Sequence, residues 1–153
     1  MSFMFNKCSK LNKLDVIKFN TENVNNMASM FNDCSNLENL DVSNFKTNKV
    51  NDMSFMFNSC IQLNKLNISN FNTENVINMK AMFRECSNLE SLDVNNFKFN
   101  KVTDMSYMFF NCSKLNKLNI NNFNPENVKF SENMLYNCPI IIKNKLLKLQ
   151  NIN

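Results

Sequence analysis

The sequence predicts an α/β fold in which about six coils of 26 residues stack on one another, each holding one short helix and one short parallel strand. The first observation is the spacing of the six cysteines, which recur every 26 residues: Cys8, Cys34, Cys60, Cys86, Cys112 and Cys138. The second is that methionine, phenylalanine, leucine and valine recur at the same interval. The third is that almost every cysteine, methionine and phenylalanine belongs to one of these columns, and no set of residues typical of an active site stands outside them.

The short helix of each coil is predicted from an apolar stripe. In the coil that begins at Val50, a rotation of about 100° per residue places Val50, Met53, Phe57 and Cys60 on one face. Asn51 or Asp52 can cap the start of this helix. We therefore expect a helix of about three turns whose apolar face packs inside the stack.

The short strand follows in the same coil. Leu66 and Ile68 alternate with Asn67, which is the two-residue period of a half-buried strand. Asn67 is expected to point outward. The strands of successive coils would pair in parallel, about 4.8 Å apart.

The two ends of the chain differ. Residues 1–138 form the predicted repeat domain, and residues 139–153 form a predicted C-terminal capping helix. Pro139 suits the first turn of that helix, and Ile142, Leu146 and Leu149 share one of its faces. No cap is predicted at the N-terminus, where the chain starts inside a methionine column. Either the chain is a fragment of a longer array, or the open first coil pairs with another copy.

Composition excludes several classes of function. Without glycine there is no glycine-rich phosphate loop, and turns must use other residues, for which asparagine is the best suited. The net charge is +4, carried almost entirely by lysine, which argues against nucleic-acid binding. The sequence has no run of 18 apolar residues, so membrane insertion is not predicted. No cofactor is predicted.

The cysteines are expected to be reduced and buried, one above another. An even number of cysteines also permits disulfides, but side chains stacked in parallel have poor geometry for that bond. Without any histidine or Cys-x-x-Cys motif, neither a zinc site nor a nucleophilic cysteine is predicted. The chain is therefore not expected to be an enzyme.

Some exposed columns alternate, so the full period is 52 residues. Lys49 is predicted to lie diagonally between Glu22 and Glu74 of the adjacent coils. Aromatic residues alternate with small ones in another column: Phe3, Ser29, Phe55, Ala81 and Tyr107. Either each ring folds over the small residue of its neighbour, or the rings form an exposed stripe for a partner.

The outward positions of the strands are the first candidate for a partner-binding surface, because repeat proteins bind through regular columns of exposed side chains. The residues selected are Lys13, Asp15, Asp41, Lys65, Asn67, Asp93, Lys117 and Asn119. The alternative is a solvated sheet in which Asn and Asp side chains bond from coil to coil. A calcium site on the aspartate column is not predicted, because outward carboxylates spaced one per coil do not enclose an ion.

The coil resembles the BspA-like leucine-rich repeats of bacterial surface proteins. The resemblance is carried by DMSFMFNSC at 52–60, by the leucines at 63 and 66, and by DVSNFKT at 41–47, and it recurs in every coil up to about residue 138. It implies a leucine-rich-repeat-type solenoid at the cell surface or secreted, although this chain shows no signal or anchor. It also implies a non-enzymatic, adhesin-like module that binds a protein. The alternative is a passive structural spacer in a longer array.

Overall fold

The computed structural model describes residues 1–120 and 123–150, and of residues 147–150 only the backbone. Its regular elements are β1 (Asn39–Asp41), β2 (Lys65–Asn67), β3 (Ser91–Asp93), β4 (Lys117–Asn119) and α1 (Ile140–Gln150). Each strand lies in a successive coil, so the elements repeat with the 26-residue period of the sequence.

Successive coils are joined through a turn segment, which is residues 27–33 in one coil and the equivalent residues in the others. The N–H groups of Met27, Ser29 and Phe31 donate to carbonyl oxygens 25 positions later in the chain, at 2.9–3.0 Å. The same bonds recur between all later pairs of coils, up to Tyr136. Parallel β-bridges such as Asn26↔Asp52 flank them. The coils therefore lie on one another in register.

The predicted helix in each coil is wrong. Within the described residues the α-helix is α1, and the turn segments consist of consecutive tight turns. The N–H groups of Met30, Asn32 and Cys34 each donate to the carbonyl three residues earlier, at 3.2 Å. Since the intervening N–H groups bond to the next coil, they cannot form the bonds of an α-helix.

Two residues of every turn segment have a left-handed backbone, with φ between 52° and 61°. They form two columns: Phe3, Ser29, Phe55, Ala81, Tyr107 and Asn133, then Lys7, Asp33, Ser59, Glu85, Asn111 and Asn137. Each such residue costs roughly 1–2 kcal/mol when it is not glycine. Only three of the twelve are asparagine. The hydrogen bonds between coils, rather than the choice of residue, hold these turns.

The strands pair in twos. β1 pairs with β2 through Asn39↔Lys65 and Asp41↔Asn67, and β3 pairs with β4 in the same register. Within the described ranges, no bridge joins β2 to β3, and residues 13–17 form no strand. The expectation of one strand per coil, paired along the whole stack, is therefore wrong. The outward side chains described below provide the physical reason.

The core contains the columns that the sequence predicts to point inward. Met53, Phe57, Cys60 and Leu63 are fully buried, as are their counterparts in the neighbouring coils. The phenylalanine rings stack almost parallel, with centroids 5.6 Å apart between Phe31 and Phe57 and 5.7 Å apart between Phe57 and Phe83. One apolar column thus runs through the stack, as predicted.

A column of buried threonines supports the turns that follow the strands. Thr47 donates its hydroxyl to the Asn72 carbonyl at 2.9 Å and accepts the Asn72 N–H at 2.7 Å. Thr21 and Thr73 bond in the same way to the next coil. Phe99 occupies the equivalent position one coil later and packs against Phe97 and Phe123.

The helix α1 follows Pro139 directly. Ile142 and Leu146 are buried against the stack, and the ammonium of Lys145 donates to the Leu118 carbonyl at 2.6 Å. The predicted role of the Leu149 side chain lies outside the described residues. Among the residues that the structure describes, no helix has the length and apolar content of a membrane span.

Candidate partner-binding surface

The strand face consists of the exposed side chains in residues 38–41, 62–67, 88–93 and 114–119. Six of the eight predicted partner-binding residues lie on it, at the strands: Asp41, Lys65, Asn67, Asp93, Lys117 and Asn119. Lys13 and Asp15 are exposed but belong to no strand. The structure thus brings six of these residues together on paired strands and leaves two apart.

The aspartate column has a structural role that the sequence interpretation did not assign to it. Asp41 Oδ1 accepts the N–H of Ser43 at 2.9 Å, and Asp93 Oδ1 accepts the N–H of Asn95 at 3.0 Å. Asp15 makes the same bond to Ile17. Side chains that bond to the backbone two residues later end strands in Asx-turns. The repeated Asp-x-Ser and Asp-x-Asn sequences were the available signal.

The same bonds favour the ionised form of the Asp41 and Asp93 carboxyl groups. The Ser43 hydroxyl and N–H lower the pKa of Asp41 below its ordinary value, with a further contribution from Asn67. The Asn95 N–H lowers the pKa of Asp93, and the Asn119 amide adds to that effect. The strand face therefore carries fixed negative charges at neutral pH.

The order of Asp and Asn in this column follows the pairing of strands in twos. Asn119 donates its amide to Asp93 Oδ2 at 3.0 Å, so one carboxylate oxygen ends β3 while the other binds β4. Asp41 and Asn67 stand in the same order in β1 and β2. In contrast, Asp15 precedes Asp41, and like charges at adjacent positions repel. Pairing occurs where Asp is followed by Asn.

An open groove separates the two strand pairs, and we call it the β2–β3 groove. It runs between residues 62–69 and residues 88–97, where two shallow hollows of about 650 and 330 Å³ open. A third hollow, of about 570 Å³, lies over the paired strands β1 and β2 and reaches Ser91. Leu66 lies beside it and is half-buried, whereas the equivalent leucines of the other strands are only 2–3% exposed. Sequence reasoning missed this groove, although the alternation of Asp and Asn was visible.

The aromatic column is explained by coverage of small residues. Ser29 is 7% exposed and Ala81 is 1% exposed, while Phe55 and Tyr107 are half-buried. This burial agrees with rings that fold over their smaller neighbours. Phe3 remains exposed.

A second aromatic cluster was missed by sequence reasoning. The amides of Asn32 and Asn58 each donate to the asparagine one coil earlier, at 2.7 and 2.6 Å. Arg84 continues this column, and its guanidinium lies 5.3 Å from the Phe110 ring centre. Phe110 in turn stacks on Tyr136 at 5.0 Å. The change from asparagine to arginine, phenylalanine and tyrosine at one column position was the available signal.

Among the described residues, Lys49 forms no ion pair with Glu22 or Glu74, and its place between them stays a prediction. Its ammonium donates to the Asn23 side chain at 2.8 Å, and Lys101 makes the same bond to Asn75 two coils later. Arg84 and Glu85 form the one ion pair found in residues 1–120 and 123–150, at 2.6 Å. Neutral amides rather than carboxylates therefore accept the hydrogen bonds of these lysines.

The thiols are buried hydrogen-bond donors. Cys60 donates to the Phe31 carbonyl at 3.2 Å and Cys86 to the Phe57 carbonyl at 3.1 Å, and this pattern continues to Cys138. Burial raises the pKa of Cys34 to about 11 and holds that of Cys86 well above its ordinary value. All six cysteines are free. Since thiolates are the nucleophilic form, burial disfavours reaction of the five thiols from Cys34 to Cys138 in the folded chain.

Acidic and thiol side chains do not cluster anywhere in the described part of the chain in a way that could hold a metal ion.

Comparison with known proteins identifies a family. A family model matches residues 1–67 and again residues 62–148. The chain belongs to the family described as "Mycoplasma protein of unknown function, DUF285". Two successive matches to one model agree with the repeats seen in the sequence and structure. No curated protein matches this DUF285 chain.

One solved structure resembles the DUF285 chain. It is a leucine-rich cell surface protein from Faecalibacterium prausnitzii A2-165, with a TM-score of 0.47 and 18% sequence identity. The match covers 72% of this chain and 27% of that protein. The chain thus spans about a quarter of the length of the protein it matches.

Proposed function

We propose that this chain is a leucine-rich-repeat-type solenoid segment of a BspA-like protein, at the cell surface or secreted. In this proposal it acts without catalysis, as an adhesin-like module that binds another protein. The strand face is the surface that contacts the partner. A stack of similar coils presents the same side chains at regular intervals, which suits recognition of an extended partner.

The observation that carries the proposal is the β2–β3 groove. The turn segments are bonded to one another through the whole stack, and their inward side chains fill the core. The strand face, in contrast, lacks strand pairing between β2 and β3 and carries exposed lysines, carboxylates and amides beside shallow hollows. Grooves with a few polar groups are preferred binding sites on protein surfaces.

A non-enzymatic role is supported by the chemistry of the thiols. Nucleophilic cysteine catalysis needs a thiolate and an adjacent base. The buried thiols of this chain have raised pKa values, and the sequence contains no histidine.

The alternative function is that of a passive spacer in a longer array, and one observation favours it. The Asp and Asn side chains of the strand face form Asx-turns and bonds between coils, as for Asp93 with Asn95 and Asn119. Side chains that make these structural hydrogen bonds would be required even if the strand face bound no partner.

The experiment that separates the two functions is a selection of binders from a phage-displayed library of protein fragments. The test variant is Lys65→Glu with Glu90→Lys, which reverses two exposed charges beside the groove and leaves the Asx-turns intact. The control is Lys46→Glu with Glu74→Lys, which makes the same exchange of exposed charges outside the strand face. The net charge is unchanged in both.

The proposal expects enriched fragments that bind the wild type and the control equally. Those fragments should bind the test variant roughly tenfold or more weakly, since charge reversal at an interface places like charges together. Enrichment of no fragment, or equal binding to all three proteins, would favour the spacer.

A further inference from the structure

Arg84, Tyr107, Phe110 and Tyr136 form one contiguous group on the turn segments, which we call the aromatic cluster. The centres of the Tyr107 and Phe110 rings are 5.8 Å apart, and Phe110 also contacts Tyr136 and Arg84. The chain has two tyrosines and one arginine, and all three lie in this cluster. The cluster is therefore a local departure from the repeat, and it lies outside the strand face.

The ring of Tyr136 is exposed to solvent rather than packed in the core. It is 59% exposed, and one of its faces stacks on Phe110 with 15° between the ring planes. Its exposed area therefore includes the opposite face. At the equivalent positions of earlier coils, asparagine amides bond to one another, as Asn58 does to Asn32. The Tyr136 ring belongs neither to the core nor to that ladder of amides, so it is available to a ligand.

A hollow of about 210 Å³ adjoins the aromatic cluster, and we call it the turn-side hollow. Three of its lining residues each follow a member of the cluster in the chain: Glu85, Asn111 and Asn137. The other three are Ile61, Ser87 and Ser113. Together they belong to four successive coils, which corresponds to roughly 14 Å along the stack. The volume is comparable to that of one hexose unit.

The polar groups of the turn-side hollow have spare hydrogen-bonding capacity. Asn137 donates its amide to Asn111 Oδ1 at 3.1 Å, which leaves the Asn137 carbonyl oxygen and one N–H of each amide for a ligand. Within the described residues, the hydroxyls of Ser87 and Ser113 have no partner in the chain. Each hydroxyl can both donate and accept. The hollow therefore offers donors and acceptors side by side.

The hollow is close to neutral. Glu85 is the one charged residue that lines it, and Glu85 Oε1 is paired with the Arg84 guanidinium at 2.6 Å. This ion pair also ties the hollow to the cluster, because the same guanidinium lies over the Phe110 ring. An uncharged ligand rich in hydroxyl groups suits this lining, whereas a nucleic acid requires several cations.

We infer that the aromatic cluster and the turn-side hollow together bind a neutral glycan, whose sugar ring stacks on Tyr136 while its hydroxyls bond to the lining of the hollow. A sugar ring has a face of C–H bonds with small positive partial charge, which the negative face of an aromatic ring attracts. The hydroxyls at its rim both donate and accept, as the hollow does. This site is separate from the strand face and goes beyond the proposed protein-binding role.

The test is an NMR titration of the full chain with three methyl glycosides: methyl β-D-galactopyranoside, methyl β-D-glucopyranoside and methyl N-acetyl-β-D-glucosaminide. Glycerol is the control ligand, because it has hydroxyls but no ring face. Saturation transfer from the protein to the C–H protons of the sugar reports the stacking. Since the ligands are small and the site is open, dissociation constants in the millimolar range are expected.

Two pairs of variants address the ring and the hollow. Tyr136→Ala removes the ring, and its control is Phe3→Ala, since the two rings are 59% and 60% exposed. Ser113→Ala removes one hydroxyl, and its control is Ser9→Ala, at the exposed equivalent position of the first coil. Tyr136→Phe keeps the ring. All the substituted side chains are exposed, so these variants should fold.

The expected result is a saturable shift of the Asn111 and Asn137 amide signals with at least one glycoside. Tyr136→Ala should weaken that binding roughly fivefold or more, and Ser113→Ala should weaken it roughly twofold to tenfold. Tyr136→Phe, Phe3→Ala and Ser9→Ala should leave it unchanged. Glycerol should give no saturable shift.

Several results would overturn the inference. These are no saturable shift with any of the three glycosides, the same shifts with glycerol, or unchanged binding by Tyr136→Ala. An equal loss with Phe3→Ala would also exclude a specific site. If no glycoside binds while Tyr136→Ala loses fragments selected from the protein library, the cluster recognises protein instead of glycan.

Failure here can be told from failure of the proposed function. The variant with Lys65→Glu and Glu90→Lys alters the strand face alone, so it should bind glycoside as the wild type does. If glycoside binds but no library fragment is enriched, the glycan site stands and the protein-binding role is wrong. If fragments are enriched and lost only with the strand-face variant, while no glycoside binds, the glycan site is wrong.

Discussion

Mildly alkaline solution is expected to unfold this protein steeply, because its core holds five buried thiols: Cys34, Cys60, Cys86, Cys112 and Cys138. Burial is the main cause of their raised pKa values, from an ordinary value of 9.0 to about 11 for Cys34 and Cys138. The pKa values of the three central thiols are raised further. Above pH 9 the unfolded chain releases these protons while the folded chain keeps them.

The size of the effect follows from proton linkage. A thiol that is protonated only in the folded state reduces the free energy of unfolding by about 1.4 kcal/mol for each pH unit. Five thiols together give at most about 7 kcal/mol per pH unit, a limit approached between roughly pH 9.5 and pH 10.5. Typical domains have about 5–15 kcal/mol of stability in total. The stabilising contribution is complete below pH 9 and is lost as the pH rises towards the folded pKa values.

The assay is urea unfolding followed by circular dichroism, in reducing buffer, from pH 7.5 to pH 10.5. The matched variant is Cys86→Ser, which retains a donor for the Phe57 carbonyl but has no thiol to titrate. Its slope with pH should fall by about one fifth, to roughly 5.5 kcal/mol per pH unit. An unchanged slope in this variant, or stability that stays constant up to pH 10.5, would refute the reasoning.

Three further predictions concern the coil itself, each measured as the free energy of unfolding in urea. Ala81→Gly should stabilise the fold by about 1 kcal/mol, because Ala81 has a left-handed backbone with φ of 52°. Ala28→Gly, outside the left-handed positions, should destabilise it by about 0.5–1 kcal/mol. Equal effects of the two substitutions would contradict the left-handed strain at Ala81. Thr47→Val should cost about 1–3 kcal/mol, because it leaves buried backbone groups without their partner, and a loss below about 0.5 kcal/mol would count against that role. Phe57→Ala should cost about 3–5 kcal/mol, since the ring is fully buried between two others, while Phe3→Ala, at a 60% exposed ring, should cost far less. Similar costs at both positions would disprove the stacked core.

The inward columns could be predicted from the sequence, but the local backbone could not. Val50, Met53, Phe57 and Cys60 are buried as the helical stripe predicts. Their spacing suits a helix and a series of tight turns equally well. Glycine would have revealed the left-handed positions, but this chain places residues such as Phe55 there. Hydrogen bonds to other coils decide between the two backbones, and these are not visible in the spacing.

The strand face could be predicted in position but not in its interruption. The alternation of Asp and Asn over 52 residues was evident, yet its consequence depends on direction. The Asn119 amide must reach an aspartate of the preceding coil, while that aspartate also ends its own strand. A sequence column shows which residues are adjacent but not which oxygen each one uses. The interruption between β2 and β3 falls where Asn precedes Asp in this column.

The repeated contacts between coils also bear on how such a chain changes length during evolution. Each coil offers its successor the same hydrogen-bonding edge and the same ring surface that it meets in its predecessor. Loss of residues 50–101 would join Lys49 to Val102 and bring together surfaces that already fit. Because the strands pair in twos, the block that can be exchanged is 52 residues long rather than 26. Recombination in such blocks would add or remove a whole groove without disturbing the core.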